Sequence, residues 1–466
     1  MKTINKVYIN GQFVTPHGKE LFDLINPATE RLAARVRLAD ETDTRRAIES
    51  AKSAFPLMRS SSREQRMAWL QQLHDAVKPR EQQLIEVMIE EYGCPRSFAE
   101  STVKRSFNGF LQMREVLADF PFEQQIGGAR VIMEPPGVVG LITPWNANYG
   151  FISSKLSAVI ASGSAAVIKP SELSARQTEL FTECLHEAGL PDGVINIVTG
   201  RGDVVGAEIT RHPDIAKISF TGSTAVGKTI ARGAVDTMKR VTLELGGKSA
   251  NVLLDDVDLA QAIPLALQVM SWNSGQACIA GTRLLVHEDR LAEVKAQILN
   301  SVHELVPGEN LGAAVTGQQY QRVQEFIRKG IEEGAELLCG GEGRPEGIEQ
   351  GFYVRPTVFV NVRNDMTIAR QEIFGPVLSV MTYRSDEEAI NMANDTVYGL
   401  QAYVSGKDAR RVQHIADRLI AGRVFINGVY DEPHAPFGGF KQSGLGREFG
   451  TFGLEGYLEP KAIMGS

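Results

Sequence analysis

A cysteine, an amide and a carboxylate are the residues most able to do chemistry together. Cys278 closes the segment Gly275-Gln276-Ala277-Cys278, a bend of small residues after the apolar, helix-like run 265–272. Thiol chemistry runs through the thiolate, which forms where backbone N–H groups and a helix end stabilise it. A lone cysteine is more often a small buried hydrophobe. Two upstream islands change that balance: Pro144-Trp145-Asn146 and Leu243-Glu244-Leu245-Gly246-Gly247-Lys248. Together they supply a nucleophile, a polar donor and a carboxylate.

A phosphate site is a second candidate. The stretch Phe220-Thr221-Gly222-Ser223-Thr224-Ala225-Val226-Gly227 follows a predicted strand and opens a predicted helix. Free N–H groups and the positive dipole end at such a terminus favour a phosphate. The stretch lacks both GxGxxG and the Lys-Ser/Thr pair of a P-loop, so a plain strand-turn-helix corner is the competing reading. Lys169-Pro170-Ser171-Glu172 sits just past another strand, at the edge where parallel sheets bind ligands. Its ammonium and carboxylate suit ribose hydroxyls, and the carboxylate opposes a 2′-phosphate, favouring NAD over NADP.

These islands need a parallel sheet to hold them. Strands are expected at 138–142, 165–168, 194–198, 215–220 and 241–245, with helices between them, including 151–161. Ser174 and Gln177 form a capping-box pattern for one of these helices, which Gly189 and Pro191 stop. Alternating strands and helices mean βαβ units and an α/β fold. A second alternation starts at 251–254 and runs past 425–427, with helices near 258–272, 291–305 and 320–333. Segment 120–133 reads as an arm or hairpin outside the sheet. The tail from Glu455 looks similar, and the two are expected to pair across subunits.

The bulk numbers agree with a soluble multidomain protein. The chain has 466 residues, 43% hydrophobic and 23% charged, with a net charge of −7. That balance argues against nucleic-acid and anionic-membrane surfaces. Cys94, Cys184, Cys278 and Cys339 are widely separated, with no CxxC and no Cys/His cluster, so neither zinc nor a disulfide framework is expected. The N-terminus lacks an apolar leader region, and the longest apolar run, 156–168, is broken by serines and is too short to span a bilayer. A cytoplasmic setting is the expectation.

Taken in order, the motifs PWN, KPSE, FTGS, LELGGK, GQxCxAGTR, EIFGP and PFGGxKxSGxGRE identify a resemblance to the aldehyde dehydrogenase superfamily, covering essentially the whole chain. The resemblance implies a Rossmann-type parallel-sheet cofactor domain (1–119 and 136–246), a second α/β catalytic domain (247–440) and a small β oligomerisation arm (120–135 and 441–466). It implies that Cys278 attacks the aldehyde, that Asn146 and the Cys278 N–H stabilise the oxyanion, and that Glu244 activates the hydrolytic water. Lys155 falls on a recurring position, supporting Glu244 or the cysteine loop. Cofactor contacts carry over to Ile142, Trp145, Lys169, Glu172, Gly222, Ser223, Leu245, Glu372 and Phe374. NAD is the implied cofactor, with NADP possible, and a homodimer or homotetramer the implied assembly.

Departures from the family pattern bear on substrate. Ala147 and Ser154 stand where many members carry pocket aromatics, while Trp272 and Phe437 are kept as aromatic walls. The pocket should therefore accept a bulky, aryl or partly polar aldehyde, with Asn148, Ser154, Tyr430, Asp431 and His434 facing it. No arginine or lysine cluster near the pocket motifs suggests a clamp for an acid group. Gln371 replaces a common glutamate, but the neighbouring ribose carboxylate, Glu372, is kept. Competing functions are an acylating, coenzyme A-dependent enzyme, a non-catalytic NAD-binding protein of the same fold, and, more remotely, an acyl-phosphate reductase. Glu244 favours hydrolysis over acyl transfer, and the intact Cys278, Glu244 and Asn146 favour catalysis.

Overall fold

In the computed structural model, which describes residues 2–465, two large sheets carry the molecule. The first has eight strands in the order Gly444–Leu445, Arg240–Glu244, Ile215–Thr221, Val138–Ile142, Ala165–Lys169, Ile195–Ile197, Val7–Ile9 and Gln12–Val14. The five inner strands, Arg240–Glu244 through Ile195–Ile197, are parallel. Val138–Ile142 and Ala165–Lys169 are buried along their whole length, as strands covered by helices on both faces must be. Chain order reverses between Val138–Ile142 and Ile215–Thr221. The C-terminal ends of strands at such a switch point leave a crevice for a ligand.

The second sheet has seven strands: Glu336–Cys339, Thr357–Val360, Val377–Tyr383, Arg283–His287, Ala250–Leu253, Gln401–Ser405 and Arg423–Ile426. Only the Glu336–Cys339 edge is antiparallel. Each sheet has its own apolar core, so the site between them is built from two independently packed supports.

Several expectations shift. Helix 151–161 starts earlier, at Asn148, and ends at Ser162, where left-handed Gly163 caps it. The strand near 425–427 is Arg423–Ile426. Five short strands precede the first helix, Glu41–Ser60, and Val7–Ile9 extends the first sheet by pairing with Ile195–Ile197. The arm exists, as hairpin Glu123–Ile126 and Ala129–Glu134, but its third strand, Glu459–Met464, comes from the same chain. Pairing across subunits is therefore corrected to pairing within one chain. Residues 441–458 also serve elsewhere: Gly444–Leu445 edges the first sheet, and helix Gly450–Glu455 packs on helices Arg96–Asp119 and Asn148–Ser162.

The capping box at Ser174 does not form. Ser174 is the N-cap of helix Ala175–Glu187, yet its side chain accepts nothing from the helix. Glu91, distant in sequence and buried, takes the Arg176 N–H at 2.6 Å and the Gln177 N–H at 3.0 Å. A carboxylate at a helix start satisfies orphan donors and the dipole together. Replacing Glu91 by alanine leaves both donors unmet inside the protein, a cost of about 1–3 kcal/mol. Thermal unfolding followed by circular dichroism should show a midpoint lowered by several degrees in Glu91→Ala, and an unchanged midpoint would remove Glu91 as the cap.

Candidate active site

The bend before Cys278 is made of three consecutive left-handed residues. Asn273, Ser274 and Gly275 have φ of 50°, 59° and 76°. Only glycine fits the third position, because a Cβ there would lie 2.2 Å from the Gly375 carbonyl. Asparagine tolerates this region, whereas serine resists it, so the conformation must be imposed from outside. Tyr92 Oη donates to Asn273 Oδ1 at 2.9 Å, and Asn273 Nδ2 donates to the carbonyls of Asn146 and Gln276 at 3.1 and 3.0 Å. Ser274 Oγ accepts the Gly312 N–H at 2.7 Å. The Gln276 side chain spans to Ala313 and Val315. Asn146 Nδ2 donates to the Gln276 carbonyl at 3.0 Å, which leaves its second amide hydrogen for another acceptor. The amide and cysteine segments singled out in the sequence are thus directly bonded.

Glu244 ends strand Arg240–Glu244, opposite Thr221 in register. It is buried, and neither carboxylate oxygen has a hydrogen-bond partner among the described residues. Gly438 makes room for it, since a Cβ there would come within 2.7 Å of Glu244 Oε1. Burial raises the Glu244 pKa well above the usual carboxylate range, and the nearby Glu448 charge adds to the rise. Lys155, fully buried, is ion-paired with Glu448 and also donates to Ser219 Oγ at 3.0 Å. Lys155 therefore bonds neither Glu244 nor the cysteine loop. It neutralises the second carboxylate behind Glu244.

Cys278 and Glu244 line one cavity of about 590 Å3. Trp145, Asn146, Gly222, Ser223, Leu245, Glu372 and Phe374 line it too, so most of the expected site residues converge. Helix Thr224–Val235 opens onto it, with Ser223 Oγ accepting the Val226 N–H at 3.3 Å. Thr221 Oγ1 is buried at the same wall with no partner among the described residues. Phe374 has φ 62° and meets Trp145 edge-on at 5.8 Å. Gln319 holds that bend by donating to the Ile373 and Phe374 carbonyls, and Arg322 donates to the Glu372 carbonyl. Gln319, Arg322 and Tyr398 also line the cavity, and no motif marked them. Ile142 and Lys169 are paired at the C-terminal ends of neighbouring strands, and Lys169 bonds Glu172 at 3.1 Å; all three lie outside the lining of this cavity.

A second cavity of about 130 Å3 shares Phe151 with the first. Ala147, Ser154 and Asp431 line it as expected. The other expected pocket residues do not. Asn148 is fully buried and donates to Thr178 Oγ1 at 3.2 Å, because its place on helix Asn148–Ser162 turns it toward helix Ala175–Glu187. Trp272 stacks edge-on to Phe98 in a separate groove. Tyr430 is exposed, and His434 pairs with Glu115 at 3.3 Å. Phe437 stands behind the wall, packed on Phe449 and Arg423. Arg105 and Arg423 line this cavity, although no arginine or lysine cluster stands near the pocket motifs in the sequence.

Comparison with known proteins gives the family. Residues 13–463 match the model of the aldehyde dehydrogenase family. A 3-succinoylsemialdehyde-pyridine dehydrogenase from a Pseudomonas species is 41% identical over 100% of this chain and 99% of its own length. Aldehyde dehydrogenase C from Pseudomonas syringae, crystallised as a cysteine variant with NAD+ and octanal, superposes with a TM-score of 0.97 at 43% identity, covering 99% of this chain and 96% of that one. Betaine aldehyde dehydrogenase from Staphylococcus aureus, in complex with NAD+, gives 0.96 at 32% identity over 99% and 94%. The chain belongs to the aldehyde dehydrogenase family.

The free thiol is held in reserve. Burial pushes Cys278 up to about 12, and the charges of Glu372 and Glu244 add to the rise. Alkylation of Cys278 by iodoacetamide, followed by mass spectrometry, should therefore be slow at neutral pH and climb about tenfold per pH unit up to that value. Glu372→Gln removes the stronger of the two charges and should speed alkylation several-fold at a given pH. Equal rates in variant and wild type would discount the electrostatic control.

Proposed function

We propose that this member of the aldehyde dehydrogenase family oxidises an aldehyde to the carboxylic acid with NAD+, using Cys278 as nucleophile and Glu244 as general base. The observation that carries this reading is one cavity shared by Cys278, Glu244, Asn146 and the start of helix Thr224–Val235. The N–H groups at that helix start suit a pyrophosphate. Glu372, beside Gly246 and Gly247, suits ribose hydroxyls, and Trp145 and Phe374 offer flat walls. NAD+, when bound, supplies the hydride acceptor.

The protein's own part is proton and charge management. The Cys278 thiolate adds to the aldehyde carbon, and the oxygen gains charge beside the spare hydrogen of Asn146 Nδ2 and the Cys278 N–H. Two preorganised donors of this kind contribute about 3–4 kcal/mol each. Once the carbon has lost hydride, Cys278 carries the acyl group as a thioester. Glu244 then takes a proton from water, the hydroxyl attacks the acyl carbon, and the acid leaves as the thiol re-forms. A Glu244 without fixed partners is free to turn toward that water.

The relatives support aldehydes beyond the smallest: one is named for 3-succinoylsemialdehyde-pyridine and another was bound to octanal. The Glu172 carboxylate supports NAD over NADP. A homo-oligomer is the assembly that the family implies, and four free cysteines support a reducing, cytoplasmic setting.

Stopped-flow measurement of NADH tests the reading. Wild type should give a burst, Cys278→Ala none, and Glu244→Gln a burst followed by turnover about 100-fold slower. Because the folded pKa of Glu244 is raised, the active carboxylate appears only as pH passes that higher value. Steady-state turnover should therefore rise with pH through a limb above the ordinary glutamate range, and Glu244→Gln should lack that limb. Full turnover in Glu244→Gln would assign the base elsewhere.

A further inference from the structure

We infer that the second cavity reads the far end of the substrate, and that Arg105 selects aldehydes carrying a hydrogen-bond-accepting oxygen there. This rests on the aldehyde-oxidising reading above and adds a substrate class to it. The cavity lies between two helices. Arg105, Gly109, Gln112 and Val116 face it from helix Arg96–Asp119 at spacings of four, three and four residues, a single stripe. Gly150, Ser153, Ser154 and Ser157 face it from helix Asn148–Ser162. Phe151 belongs to the walls of both this cavity and the one holding Cys278, so the two cavities adjoin at that ring.

The donors available to a ligand can be sorted. Ser153, Ser154 and Ser157 each donate to a carbonyl three residues earlier on their own helix, so they present lone pairs rather than hydrogens. Arg423 is committed to the wall: its guanidinium bonds the Pro436 and Ala435 carbonyls at 2.9 and 2.6 Å and lies over the Phe437 and Phe449 rings. Arg105 is different. Among the described residues it pairs with Asp431 alone, at 3.7 Å, and the two side chains are 52% and 67% exposed. A pair this long and this wet holds its members weakly. Gln112, two turns along the same stripe, bonds no described residue. Arg105 and Gln112 are thus the uncommitted donors of the cavity.

The charges agree. Two guanidinium groups and one carboxylate line the space, leaving one net positive charge. An oxygen acceptor on the substrate, either a ketone or a carboxylate, replaces Asp431 as the partner of Arg105. A purely apolar end forfeits that contact and leaves the Arg105–Asp431 pair as it was.

Three benzaldehydes of similar shape separate the possibilities: para-isopropyl (no acceptor), para-acetyl (neutral acceptor) and para-carboxy (anionic acceptor). The readout is the ratio of kcat/KM for each acceptor compound to that of the isopropyl compound within one protein. A ratio is independent of the fraction of enzyme that folds. Wild type should favour the acceptors about tenfold, expressed mainly in KM. Arg105→Met should lower both ratios to the intrinsic difference in electrophilicity between the para-substituted rings. Asp431→Asn should raise the carboxy ratio more than the acetyl ratio, because it removes a repelling charge. Wild-type ratios near one, or ratios unchanged in Arg105→Met, would overturn the assignment. A rise for carboxy alone in wild type would restrict the class to anionic aldehydes. Absence of Cys278-dependent NADH with all three compounds would count against aldehyde oxidation itself.

Discussion

The site depends on a backbone conformation that its residues resist. Two non-glycine residues and one glycine, Asn273 to Gly275, run left-handed in succession and deliver Cys278 to the cavity. Such positions cost about 1–3 kcal/mol each when a side chain is present. They persist because the surroundings over-determine them: Tyr92 and Asn146 from the first core, Gly312 and Ala313 from the loop after helix Leu291–Ser301. The same bonds that hold the thiol also aim the Asn146 amide. Nucleophile and oxyanion donor are therefore positioned as one unit, and neither can shift without the other.

Around this unit the dominant energy is desolvation. Glu244 and Glu448 are close enough to repel each other, Glu372 lines the same cavity as Glu244, and Lys155 ion-pairs with Glu448. Glu372 is pushed up to about 7 and Glu244 also rises, both chiefly through burial. A folded pKa raised in this way means that stability falls as pH climbs from the unfolded value through the folded one. Stability is given up as pH rises above the ordinary glutamate range, and in return Glu244 holds a proton more tightly than an exposed carboxylate does, a trade typical of acid–base sites.

Much of this was legible in the sequence, and the reasons differ by residue. Cys278, Asn146 and Glu244 stand in motifs whose backbone does the positioning, so order along the chain sufficed to bring them together. The inner strands showed through short, mostly apolar runs alternating with helix-like segments. Asn148 and Trp272 were misplaced because a side chain's direction depends on the rotation of its helix and on which neighbour it meets. Asn148 turns to Thr178, and Trp272 turns to Phe98. Arg105 and Glu91 carried no local signal: one gains its meaning from a helix stripe facing a cavity, the other from a helix end far along the chain.

The eight-stranded sheet has a late closing member. Its other strands all lie before residue 245, yet Gly444–Leu445 seals the edge beside Glu244, and Glu448 follows four residues after Gly444 to meet Lys155 across 293 positions. On the ribosome, where chains emerge from the N-terminus, the first sheet must wait through synthesis of the whole second domain with that edge open. Lys155 waits too, without its counter-charge. An uncovered strand edge and an unpaired buried lysine are both sites at which a nascent chain invites chaperones. The charge balance of the site is thus completed only after the whole second domain has been made, so a product truncated before Glu448 retains Cys278 without the charge balance that surrounds its base.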